Sequence, residues 1–108
     1  MMFDELCKDK ILSREKTVTR RLINLGNPRR PAVPGHIHKI KIDRTKKTYG
    51  EIFILSCTQE QIKDIDELEV KKEGFNSEEE YLDYFMDINN IDILYNEDWV
   101  WRVEFILL

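Results

Sequence analysis

A chain of 108 residues has the size of one domain, large enough for one core and too small for two independent ones. With 42% hydrophobic and 35% charged residues its composition is that of a globular, very soluble protein, and it contains no apolar run of the roughly eighteen residues that a membrane-spanning helix needs. The net charge of −4 hides an asymmetry: from Arg14 to Lys47 eleven Lys and Arg stand against two acids, whereas from Thr58 to Asp98 fourteen acids stand against three lysines. A segregated basic stretch attracts phosphate even on a negative protein; the other use of such a division is salt bridging between the two halves.

The start, Met1 to Glu5, is acidic and lacks the apolar core of a secretion signal. Cys7 and Cys57 lack C-x-x-C spacing, so they suit small buried side chains in a reducing compartment better than a disulfide or a zinc site. The expectation is one cytoplasmic domain over residues 1–108, with no cofactor. Residues 3 to 12 read as an amphipathic helix, with Phe3, Leu6, Cys7 and Ile11 on one side, acids early and lysines late, in keeping with the helix dipole. Thr17 to Leu22, rich in β-branched residues, reads as a strand. Asn24 to Gly35 holds all three prolines and is a loop with the stiff, positive centre Pro28-Arg29-Arg30-Pro31.

His36 to Asp43 alternates as a half-buried strand, Thr45 to Gly50 is a turn, and Glu51 to Cys57 is a nearly continuous apolar run that suits a central strand, so these segments predict an antiparallel hairpin. Ile62, Ile65 and Leu68 lie three apart and predict a helix that runs to a stop at Gly74. Ser77 to Glu80 reads as a capping box for a second helix with the apolar stripe Tyr81, Leu82, Phe85 and Met86, ending near Ile88. Trp99 to Leu108 alternates, with Trp99, Trp101, Val103, Phe105 and Leu107 on one face and Arg102 and Glu104 on the other. Strands, then helices, then a closing strand predict an α+β protein, in which about five or six short mixed or antiparallel strands with flanking helices form a small curled sheet or barrel.

The densest polar stretch is Ser13-Arg14-Glu15-Lys16-Thr17-Val18-Thr19-Arg20-Arg21, between the first helix and the first strand. With Ile11-Leu12 before it, it resembles the Lys-Thr-x-Thr-x-Arg signature of the ASCH domain, a member of the PUA-like β-barrel superfamily. Lys72-Glu73-Gly74-Phe75-Asn76-Ser77, followed by Tyr81-Leu82, is similar to that family's helical segment with an acid before Gly-Phe. Val100-Trp101-Arg102-Val103-Glu104-Phe105 resembles its last barrel strand. The three pieces stand in the family's order over nearly the whole chain. Two departures are Arg14, where the family often has glycine, and the length of the Asn24–Gly35 loop.

The resemblance implies a PUA-like fold and an RNA or modified nucleoside as partner. Small bacterial members include amidohydrolases that remove the acetyl group from N4-acetylcytidine with a lysine, a threonine and a glutamate; by motif position these are Lys16, Thr19 and Glu73. Other members are linked to RNA cleavage or to plain RNA binding, so a non-catalytic binding module and a ribonuclease stand beside the amidohydrolase. Lys16 can act as a base if its pKa falls, or as a cation that stabilises an oxyanion or pairs with phosphate. Thr19 can be a nucleophile only with a base in reach, and Glu73 can activate Thr19 or a water or protonate the leaving group. Thr17, Arg20, Arg21, Arg29, Arg30, His36, Lys39 and Trp99 are the candidate substrate or RNA contacts, Trp99 by stacking on a base. His36 and His38 have the spacing of a strand metal pair, but no neighbouring Cys or carboxylate completes a set, so no metal is expected.

Overall fold

The computed structural model describes residues 1–23, 26, 28–42, 47–92, 94–95 and 97–108. The turn expected over Thr45–Gly50 lies partly outside these residues, as do Asn24, Asn96 and the cations Arg44 and Lys46. The elements, in order, are α1 (Glu5–Leu12), β1 (Val18–Leu22), β2 (Ile37–Lys39), β3 (Glu51–Gln61), a 3-10 turn (Ile62–Asp64), α2 (Glu67–Lys72), α3 (Glu78–Ile88) and β4 (Trp99–Leu107).

Asp4 starts α1 by accepting a hydrogen bond from the Cys7 amide at 2.8 Å, and the helix buries Cys7 and Ile11. The hairpin expected around Gly50 is present, with Ile37, His38 and Lys39 of β2 opposite Phe53, Ile52 and Glu51 of β3. Ser77 caps α3 through the Glu80 amide, the forward half of the expected box.

The expected five or six strands are corrected to four among the described residues. They form one antiparallel sheet in the order β1-β4-β3-β2, open rather than closed into a barrel. The described residues of the proline loop supply no strand, since proline lacks the donor a ladder needs. The gap between the outer strands is partly spanned by the chain start: the Phe3 amide donates to Lys41 O (2.8 Å), the Lys41 amide to Met1 O (3.1 Å), and Arg21 Nη2 to Met2 O (2.7 Å).

The helix expected through Ile62, Ile65 and Leu68 is also corrected. Asp66 is extended, and its carboxylate accepts from the Glu69 amide to start α2 afresh. That break turns Leu68 outward, 62% exposed, and buries Val70 in its place. The last strand is not apolar on one face alone. Val103 and Phe105 pack with Phe3, Cys7, Ile11, Ile52 and Ile54 on the α1 side, while Val100 joins Ile62, Val70, Phe75, Tyr81 and Phe85 on the other. The helices thus cover both sides of one sheet, and β1 stands at its edge between them.

Candidate functional site

At the β1 edge a cavity of about 460 Å³ opens. Its walls come from the chain start (Phe3, Asp4, Cys7), from Lys16 and residues Thr19 to Leu22, from Glu73 after α2, and from Tyr81, Tyr84 and Phe85 of α3. The volume lies in the range of small-molecule pockets, about 300–1,000 Å³.

Backbone hydrogen bonds fix where the polar groups arrive. The Lys16 amide donates to Lys10 O (3.0 Å), and the Thr17 amide to Lys72 O (2.8 Å), which ties the start of β1 to the end of α2. Glu73 is the C-cap of α2, and Gly74 follows at φ +92, so the chain turns back at once and Glu73 stays inside. Lys10 adds a hydrogen bond to Gly74 O and lies 3.9 Å from the centre of the Phe75 ring.

Lys16 and Glu73 form an ion pair whose side chains are both 1% exposed. Lys16 Nζ also donates to Glu73 O at 3.3 Å. The other Glu73 oxygen, Oε2, accepts from Arg20 Nη1 (3.2 Å) and Tyr81 OH (2.9 Å). The carboxylate is therefore bound on both oxygens by three donors. Burial raises the Tyr81 pKa well above its ordinary value, and the Glu73 charge adds to that, so the phenol stays a donor. Arg20 reaches on to Glu60 (Nε, 2.6 Å) and Glu69 (Nη2, 2.5 Å), and Glu69 also holds Arg102. Burial works against the Arg20 charge, but Glu73 and Glu60 more than offset it and its pKa rises. A second polar cluster joins Asp4, Tyr84 and Cys7: Tyr84 OH donates to Asp4 and lies 2.9 Å from Cys7 Sγ. Burial raises the pKa of the Cys7 thiol, which leaves it a poor nucleophile.

The structure brings Lys16, Thr19, Arg20, Arg21 and Glu73 to this one pocket. Thr19 is 5% exposed. Arg21 stacks on Phe3, 5.1 Å from the ring centre, and burial lowers its pKa. Among the described residues no carboxylate pairs with it. Thr17, half-buried, and Arg29, Arg30, His36, Lys39 and Trp99, all exposed, do not line it. Trp99 lines a neighbouring cavity with Tyr95, Glu97 and Asp98. Among the described residues no cluster of three His, Cys, Asp or Glu has metal-binding geometry.

Sequence reasoning missed Tyr81, Tyr84, Asp4 and the Glu60–Glu69–Arg102 links. For the tyrosines a signal existed, since Tyr81 and Tyr84 are three apart at the start of α3 and share a helix face.

Comparison of the fold with solved structures decides what it resembles. The ASCH domain from Lactobacillus crispatus superposes with a TM-score of 0.70 over 94% of this chain and 70% of that one, at 19% identity. A DUF984 protein from Enterococcus faecalis gives 0.70 over 97% and 68%, at 16% identity. The ASCH protein from Zymomonas mobilis gives 0.61 over 100% and 64%, at 21% identity. The fold is that of an ASCH domain. At these identities the likeness is one of fold, and the chain spans about two-thirds of each neighbour's length. No protein-family model matches the sequence, and a search of curated proteins finds no match. Within the ASCH fold the pocket lies at the open edge of the sheet, and no described helix is long and apolar enough to cross a membrane.

Proposed function

We infer that the pocket binds a modified pyrimidine nucleoside and hydrolyses its exocyclic amide, as in N4-acetylcytidine. The observation that carries this reading is the arrival of Lys16 and Thr19, from the start of β1, and of Glu73, far along the chain, at one cavity, with Glu73 buried and paired instead of facing solvent.

The contacts also suggest a division of roles. Glu73 is bound by Lys16, Arg20 and Tyr81, so its work is to hold Lys16 in place. The Lys16 ammonium has three protons and spends two on Glu73, leaving one donor for the acyl oxygen of a bound substrate. Thr19 supplies a hydroxyl in the same pocket that positions the substrate or the attacking water. In net terms water adds across the acyl C–N bond, giving acetate and cytidine. Pure protein incubated with N4-acetylcytidine should release cytidine, followed by chromatography, and a folded Lys16→Ala variant should lose that turnover. Equal release by both proteins would refute the reading.

A second reading, a non-catalytic RNA binder, is favoured by one observation. Arg29, Arg30 and Lys39 are exposed and, among the described residues, have no carboxylate partner. It predicts RNA binding without hydrolysis.

A further inference from the structure

Among the described residues β1 is a terminal strand of the sheet, paired on one side only, with β4. Its pairing shows which peptide groups are used. The Phe105 amide donates to Thr17 O (3.0 Å) and the Ile23 amide to Trp99 O (3.0 Å), so the hydrogen-bonded positions are the odd ones: 17, 19, 21 and 23. The N–H and C=O of Val18, Arg20 and Leu22 consequently point the other way, off the sheet. Of these, Arg20 and Leu22 line the cavity, and Arg20 is only 3% exposed. Among the described residues neither peptide group has a hydrogen-bond partner. Buried peptide groups are rarely left unpaired, because the hydrogen bonds to water that they lose are then not replaced.

We propose that the free edge of β1 is the recognition surface of the pocket, and that the Arg20 and Leu22 peptide groups read the hydrogen-bonding edge of a pyrimidine base. In an extended strand the N–H and C=O of one residue point the same way, which matches a planar ring carrying an acceptor beside a donor. Cytosine presents N3 beside N4–H, and an N4-acyl cytosine keeps both. The rest of the cavity suits a flat ring: Phe3, Tyr81, Phe85 and Ile88 supply its apolar walls. The inference rests on the pocket being a nucleoside site, and not on hydrolysis.

The test is an NMR titration of the whole, 15N-labelled protein with cytidine and with 3-deazacytidine, in which N3 becomes C–H. Cytidine should shift the Arg20 and Leu22 amide signals and slow their exchange with solvent. The deaza compound should bind about tenfold more weakly, the loss of roughly one hydrogen bond. Equal affinity for the two compounds, no binding of either, or shifts at Tyr81 and Lys16 with Arg20 and Leu22 unmoved would each overturn the proposal. So would amide shifts that follow protein concentration and not ligand, which would make the edge a strand-pairing surface. Binding without turnover would remove the hydrolase reading and leave this one standing; turnover indifferent to N3 would do the reverse.

Discussion

Arg14 sits just beyond the end of α1 with φ +68, and its amide donates to Ile11 O at 2.9 Å. This left-handed conformation costs a residue with a β-carbon about 1–2 kcal/mol, and glycine nearly nothing. Arg14 therefore holds a backbone conformation that glycine favours. Arg14→Gly should stabilise the protein by about 0.5–1 kcal/mol, the relieved strain less the extra freedom of an unfolded glycine, seen as a higher urea midpoint at unchanged slope. Arg14→Ala should give no such gain. Gly74 is the opposite case. Its φ is +92, and a β-carbon there would come within 2.9 Å of Lys10 Cδ and 3.5 Å of Lys16 Cβ. Gly74→Ala should cost about 1–2 kcal/mol in chemical denaturation from the backbone alone, with the Lys10 side chain shifting to make room and Lys16 left in place. An unchanged urea midpoint would show that this turn carries no such strain.

Between elements, the carboxylates of α2 and β3 hold the cations of β1 and β4. Glu69 takes both Arg102 and Arg20, and the Arg102 hydrogen bond, aided by Arg20 against the cost of burial, brings its pKa from 4.5 down to about 2. A folded-state pKa below the unfolded one adds stability that is present above about pH 4.5 and is lost as pH falls towards 2. Glu69→Gln should therefore be less stable than the parent at pH 6, and the difference should shrink on acidification through that window, as thermal melts at several pH values would show. A constant difference would mean that packing, not charge, is what Glu69 supplies. These links were the least legible part of the sequence. Helix caps and strand alternation are local, so α1, β1, the β2–β3 hairpin and α3 could be read from spacing. Arg20 and Glu69 are 49 residues apart, and nothing local joins them. The break at Asp66 hid for a different reason: one side chain competed with a three-residue apolar repeat and won. Val100, between two tryptophans, gave no sign that both faces of β4 are covered. The Lys16–Thr19–Glu73 grouping was legible only through the ASCH resemblance, since Glu73 stands in an acidic run where composition singles out no member.

Across the whole molecule the basic and acidic halves meet, but only in part. The inner cations of the basic half, Lys16 and Arg20, are taken up by Glu73, Glu60 and Glu69, which is the salt-bridging use of the charge division, and Glu69 holds Arg102 as well. The outer ones, Arg29, Arg30 and Lys39, are exposed. Arg30 lies near enough to β3 that its charge works against the rise which burial causes in the Cys57 pKa. These cations stand apart from the pocket walls, so attraction for phosphate and recognition in the pocket become separable properties. Single-stranded RNA should bind with an affinity that falls steeply with salt, each phosphate contact adding about 0.7 to the log–log slope. Changing Arg29 and Arg30 together to alanine should reduce that slope by about 1.4 in fluorescence anisotropy titrations. The same double variant should bind cytidine, which carries no phosphate, as tightly as the parent. An unchanged slope would take Arg29 and Arg30 out of any RNA interface, and weakened cytidine binding would mean that the loop reaches the pocket when ligand is present.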